Sequence, residues 1–203
     1  MAARLRSDIL RGAYEPGTRL LQNEIAERFE TSTTPVREAL RQLVAEGLLD
    51  GDPHRGVQVH PATMDELEQL YEIRMALEPL VAAATVRNAD PQDLAKARAM
   101  TEAMKAEPDP ARWVALNGEF HRLLAEAARR PRLARILENL RNLSALYVAT
   151  SIHEAPQRVQ AGNAEHDQLL DAIERGDIAT AEQVTRDHLE HTLELGKLFL
   201  RGR

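Results

Sequence analysis

No cysteine occurs among the 203 residues. Disulfides, thiolate zinc sites and cysteine nucleophiles are therefore excluded, while the redox compartment stays open. Aromatic residues are only 3% of the chain. Ala and Leu are abundant instead, which favours helix over sheet. No apolar run approaches the length of a membrane span, and the start "MAARLRSDILRG" lacks a signal peptide's apolar stretch. A soluble cytoplasmic protein without membrane association is expected. A basic excess is also missing: 26 Lys plus Arg face 32 Asp plus Glu, a net charge of −6. Bulk charge gives no reason to expect nucleic-acid binding, so any such reading must rest on local geometry.

The length suits one large or two small domains, each burying a usable core. Residues 3–12 read as a short helix ending at Gly12, and Pro16-Gly17 turns the chain. "QNEIAERF" (22–29) is a second short helix and "TPVREALRQLVAEG" a third. Thr34 is the expected N-cap of the third, with Pro35 at its first position and Gly47 as its stop. "LLDGDPHRGVQVH" reads as a small β-hairpin, and Pro61 closes this unit. From residue 63 onward the pattern predicts long helices only. Six are expected, at about 63–87, 91–106, 109–128, 131–150, 156–175 and 177–201. Their short connections predict an antiparallel six-helix bundle. The fold class is mainly α, with domains expected at 1–61 and 62–203.

Two short helices joined by a polar turn, then a hairpin, is the order of a winged helix-turn-helix. Its second helix enters the major groove N-terminus first. Ser32, Thr33 and Thr34 offer hydroxyls at a helix N-terminus, where backbone N–H groups favour phosphate. Arg37 and Arg41 are four apart and share a face. Val36, Ala39, Leu40 and Leu43 supply the buried side. In the hairpin tip "PHRG", Arg55 beside Gly56 suits a phosphate or the minor groove. The alternative is a small helical domain with solvated arginines. Residues 1–60 carry 8 Arg and no Lys against 9 acidic residues, so charge does not decide.

The stretch "GAYEPGTRLLQNEIAERFETSTTPVREALRQLVAEGLLDGDPHRGVQV" closely resembles the N-terminal domain of GntR-family bacterial transcription regulators. The PG-x-x-L turn, the IAERF helix, the TPVREALRQL helix, the AEGLL exit and the RGVQV wing occur in that order. The remainder resembles the all-helical FadR C-terminal domain (FCD), and six helices suggest its VanR-like branch. The resemblance implies DNA contacts at Ser32, Thr34, Arg37 and Gly56. Thr33 and Asn23 stand where many relatives place arginine, which implies a weaker electrostatic term or a changed operator.

The helical half poses a separate question. In "WVALNGEFHRLLAEAARR", Asn117 and His121 are one turn apart on an apolar face. His166 shares a side with Leu169, Leu170 and Ile173. His188 lies on a stripe with Val184 and Leu195, with His191 as a competitor and His153 in a loop. Three imidazoles and an amide oxygen could converge on a divalent metal, since neutral imidazole is the commonest transition-metal ligand. A lone His on an apolar face is more often a satisfied core residue than a ligand.

In the resembling subfamily, an Asp or Asn and a His one turn apart, followed by two distant histidines, bind a divalent metal. The spacing Asn117-x3-His121-x44-His166-x21-His188 matches and implies His188 rather than His191. Asn117 stands where Asp is common, which leaves the ion's charge uncompensated and favours an anionic effector. Zinc or nickel fits the ligand set best, with manganese also compatible.

Arg74 lies on the inner stripe of "LEQLYEIRMALEPLVAAA". It is either an anchor for a carboxylate, as such an arginine is in the resembling family, or a structural partner of Glu78. The reading that follows is a homodimeric, ligand-responsive regulator, acting as a repressor on operator DNA and sensing a small organic or sugar acid. Two alternatives stand beside it: a metal-dependent hydrolase using three histidines, and a helical adaptor with buried histidines and no metal. The first lacks H-E-x-x-H and any poised base, because Glu119, two residues before His121, points about 160° away from it on an ideal helix.

Overall fold

A computed structural model of the chain describes residues 1–52, 56–154 and 157–201. Nine helices and three strands are present among them. α1 (Ala2–Leu10), β1 (Arg19–Leu20), α2 (Gln22–Arg28), α3 (Thr33–Ala45), β2 (Leu49–Asp52) and β3 (Gly56–Val59) form an N-terminal head. The helices α4 (Met64–Asn88), α5 (Pro91–Ala106), α6 (Pro110–Ala127), α7 (Pro131–Glu154), α8 (Arg158–Glu174) and α9 (Ile178–Arg201) form the rest. The mainly helical winged helix-turn-helix plus helical C-terminal architecture expected from the sequence is what is seen.

In the head, Leu5, Ile9, Val36, Leu40, Leu43, Leu49 and Val59 are buried into one apolar cluster. α3 stops where expected. Gly47 adopts φ +79°, and a side chain there would also collide with Leu143 of α7. Its start differs from expectation. Ser32, not Thr34, is the N-cap residue, so Thr33 and Thr34 occupy the first helical turn and Pro35 is its third residue. Pro is tolerated there because the first-turn N–H groups have no intrahelical partner. The hairpin pairs β2 with β3 in the register Leu49↔Val59 to Asp52↔Gly56. The sequence reading did not anticipate β1, which pairs antiparallel with β3 through only Arg19 and Leu20. Two residues carry no readable alternation.

Helix starts in the bundle follow local chemistry. Asp90 and Asp93 form a reciprocal capping box before Pro91, and Asp109 caps α6 before Pro110. α4 runs through Pro79 without a break. Proline removes the N–H that would bond the Met75 carbonyl, and Arg186 of α9 donates to that carbonyl instead at 3.2 Å. α4 and α9 are antiparallel: Gly196 meets Leu67 at one end and Arg186 meets Met75 further along. A Cβ on Gly196 would lie 2.8 Å from Leu67, so glycine permits this close approach. The helix expected to end at 150 continues to Glu154, which puts His153 on α7 rather than in a loop. No helix among the described residues is long and apolar enough to cross a membrane.

Candidate metal and effector site

The three histidines reach one point from three helices. The ligand atoms of His121 (α6), His166 (α8) and His188 (α9) all lie within 4.8 Å of one another. Their ring centroids are 5.0–5.5 Å apart. The apolar stripes around each histidine bring this about. Phe120 and Trp113 pack against His166, and Trp113 is held by an indole N–H bond of 3.0 Å to Asn163 of α8. Gly162 lies against the Trp113 ring and admits it.

The polar atoms of this cluster are conspicuously unsatisfied. Asn117 Oδ1, His121 Nε2 and both ring nitrogens of His166 are buried with no hydrogen-bond partner among the described residues. A buried polar atom left this way costs about 1–3 kcal/mol, so a core built only for packing would avoid four of them. Burial, reinforced by the Arg141 charge, holds His121 well below its ordinary pKa. Burial and the neighbouring His188 do the same for His166. Both rings are therefore neutral near pH 7 and keep an imidazole lone pair.

His188 is different, because a carboxylate orients it. Its Nδ1 lies 2.6 Å from Glu165. A carboxylate accepts only, so Nδ1 carries the proton and Nε2 is left for the cluster. Arg158 grips the same carboxylate with two bonds of 2.7 Å. Burial alone would raise Glu165, but His188 and Arg158 hold it well below the usual carboxylate range. His191 also reaches Glu165, at 3.0 Å, yet its side chain is 62% exposed and outside the cluster.

A cavity beside the cluster is lined by Arg74, Asn117, His121, Arg158 and His188, with Tyr71, Val148 and Ile152 among its apolar walls. Arg74 stands both on this cavity and beside Glu78. It lines this cavity, and its Nε donates to Glu78 at 2.8 Å while its guanidinium lies over the Tyr71 ring. Glu78 is 3% exposed and is also held by Arg141 at 2.9 Å. Arg141 in turn donates to the His121 carbonyl at 3.0 Å. Three arginines thus face two glutamates around neutral imidazoles, so the region is net positive and suits an anion. Glu165, Arg158 and Arg141 were not singled out from the sequence.

Glu119 is turned away from the cluster and pairs with Arg122. The carboxylates that border the cluster, Glu78 and Glu165, are each committed to arginines. Neither is a poised general base.

On the head, Ser32, Thr33, Thr34, Arg37 and Arg41 are all exposed along the N-terminal part of α3. Arg41 bonds Glu38 at 3.1 Å, and Arg37 lies 3.9 Å from the same residue. Gly56 is exposed at φ +83° with open space around it. Arg55 lies outside the described residues.

Comparison with known proteins agrees with both halves. Residues 1–59 match the family of bacterial regulatory proteins of the gntR type, and residues 69–191 match the FCD domain. The chain belongs to the GntR family, with an FCD domain. The "uncharacterized HTH-type transcriptional regulator YdhC" of Bacillus subtilis (strain 168) is 26% identical over 204 residues, 95% of this chain and 91% of that one. A "probable D-xylose utilization operon transcriptional repressor" of Paenarthrobacter nicotinovorans is 32% identical over 187 residues, 90% of this chain and 80% of the other. The solved structure of E. coli McbR/YncC superposes with a TM-score of 0.80 at 25% identity, covering 97% of this chain and 95% of that one. This GntR-family chain is a DNA-binding transcription regulator.

Proposed function

We propose that this regulator is a metal-assisted sensor of a small carboxylate, with residues 1–61 reading DNA and residues 62–203 binding the effector. The single observation that carries the sensor reading is the set of buried, unpartnered donors beside a net-positive cavity. Asn117 Oδ1, His121 Nε2, a nitrogen of His166 and His188 Nε2 would hold the ion. Three imidazoles and an amide oxygen favour zinc or nickel, with manganese as the harder alternative. When bound, the ion supplies a fixed positive centre for an anion. The neutral donor set leaves its double charge intact. Arg74 and Arg158 stand on the same cavity and orient an acid by charge-assisted hydrogen bonds. Glu165 fixes the His188 tautomer, and Glu78 keeps Arg74 and Arg141 in place.

On the DNA side, Ser32, Thr33, Thr34, Arg37, Arg41 and, from the wing, Arg55 and Gly56 are the proposed contacts. A repressor acting as a homodimer on a two-half-site operator in the cytoplasm is the form the reading takes. Exposed Ile73 and Leu80 on α4 and Ile136 on α7 support a self-association face. The six-helix effector domain supports the VanR-like branch. The small organic or sugar acid would shift the balance between two placements of the heads, and so the operator affinity.

The test is thermal-shift screening of organic and sugar acids against the protein with and without zinc or nickel. At least one acid should raise the melting temperature of the metal-loaded protein more than that of the metal-free one. The reading sinks if no acid moves the metal-loaded protein.

A further inference from the structure

The head meets the bundle through a small number of contacts, and one has unusual chemistry. His60 follows β3 directly. Its backbone N–H bonds the Leu48 carbonyl at 3.1 Å, which fixes the residue at the root of the wing. Its Nδ1 lies 2.7 Å from Asp50 of β2, and its Nε2 lies 2.5 Å from Glu66 of α4. A neutral imidazole has one donor and one acceptor nitrogen, and an acceptor facing a carboxylate oxygen would be repelled. Two carboxylates on opposite nitrogens therefore require the imidazolium form. The ring is largely buried, 14% exposed, so these bonds are partly shielded from water.

Glu66 carries a second sign of this role. Thr63 is the N-cap of α4 and accepts from the Glu66 backbone N–H at 3.3 Å. The local pattern Thr-x-x-Glu would normally complete a capping box by returning the Glu carboxylate to the cap's own N–H. Here the Thr63 N–H goes instead to Tyr147 Oη of α7 at 3.3 Å. The Glu66 carboxylate receives His60 and the Tyr147 hydroxyl, the latter at 2.9 Å. It has left its local partner for one that joins head to bundle. Tyr147 adjoins Val148, which lines the effector cavity, and Glu66 shares α4 with Arg74.

We propose that His60 is a positioning residue for DNA binding: a charged clamp that fixes the wing to α4 and α7, and whose release frees the head. The titratable groups meeting it are Asp50 from β2, Glu66 from α4 and, through Glu66, Tyr147 from α7. Burial works against the imidazolium, but the two carboxylates outweigh it and the pKa is raised. Burial, then Glu66, raises Tyr147, which stays a protonated donor. A raised histidine contributes stability that is fully present below its unfolded value of about 6.5 and is lost as pH climbs through the higher folded value. The clamp thus holds in mildly acidic to neutral solution and opens above it. The other head-to-bundle ion pair among the described residues, Arg11 with Asp109 at 2.5 Å, does not titrate in that window. This proposal is independent of whether the cavity holds a metal.

The absence of native cysteine permits a direct test on the full chain. Glu24→Cys on α2 and Glu138→Cys on α7, both at exposed positions, carry nitroxide labels, and their distance distribution is measured from pH 6 to pH 9. The expected result is a narrow distribution at pH 6 that broadens towards pH 9, and a broad one throughout in His60→Gln. Affinity for a duplex spanning the region upstream of the chain's own gene should fall about five- to tenfold in His60→Gln at pH 6 and constant salt. Coincident distributions for the two proteins across the range overturn the proposal. If His60→Gln does not fold, Asp50→Asn replaces it. That variant should broaden at a lower pH than the parent, and an unmoved transition overturns the proposal equally.

Discussion

The core of the head and the core of the bundle obey opposite rules. In the head, the DNA-contact candidates among the described residues are on the surface, and the interior is apolar: Leu5, Ile9, Val36, Leu40, Leu43 and Val59 pack with no polar group among them. In the bundle, the candidates are interior. Arg74, Glu78, His121 and His166 are buried, and three nitrogens of His121 and His166 have no hydrogen-bond partner among the described residues. A DNA reader needs an exposed, rigid edge, so its core is free to be ordinary. A site for a small anion, as proposed for the bundle, must exclude water, so the polar cost is placed inside. The two demands are kept apart although one apolar cluster runs on from the head into the bundle.

The largest expected effect on this contrast comes from the buried carboxylate of the bundle. Glu78→Ala leaves Arg74 and Arg141 without their shared counter-charge and should cost about 3–5 kcal/mol in denaturant unfolding. The half-exposed pair of the head, Arg6 with Glu46 at 2.7 Å, should by contrast lose no more than about 1 kcal/mol in Glu46→Ala. Equal losses would erase the distinction drawn between the two cores.

Next in size is the metal. Zinc at about a hundred times its dissociation constant should stabilise the wild type by about 2.7 kcal/mol. His166→Leu should abolish that gain, while the metal-free variant is at least as stable as the metal-free parent, because two unpartnered nitrogens are gone. A zinc response that survives in His166→Leu would remove His166 from the ligand set. On the head, Arg37→Ala should weaken operator binding by about 1–3 kcal/mol in gel shift and leave the zinc-induced stabilisation untouched. Arg41 is already tied to Glu38 and is the smallest case. Arg41→Ala should reduce the slope of log affinity against log salt by about 0.9, and an unchanged slope would take it off the phosphate backbone.

How much of this was legible in the chain itself differs between the regions for the same reason. The α3 candidates lie within ten consecutive residues on one helix, so helical geometry alone sets their relative positions. The misplacement of its cap from Ser32 to Thr34 moved the boundary by two residues without moving the exposed face. β1 escaped notice because two residues cannot display a period. In the bundle, the spacing of His121, His166 and His188 marked them as candidate ligands, but no local pattern singled out Glu165, Arg158 and Arg141. The packed helices show that His188 lies in the cluster while His191, which also reaches Glu165, stays exposed outside it. The same holds for Arg74, where anchor and structural partner looked like alternatives and are compatible in space.

The sequence by itself determined the helices, the Asp90 and Asp109 caps, the exposed edge of α3 and the residue types offered to the site. These follow from interactions within a turn or two of the chain, where backbone geometry leaves little choice. Tertiary structure decided the rest: that three imidazoles converge, that Glu66 abandons its capping box for His60, and that Arg186 repairs the carbonyl freed by Pro79. Each depends on how one helix is rotated and shifted against another. That is set by side-chain packing between residues dozens of positions apart, and no local pattern records it.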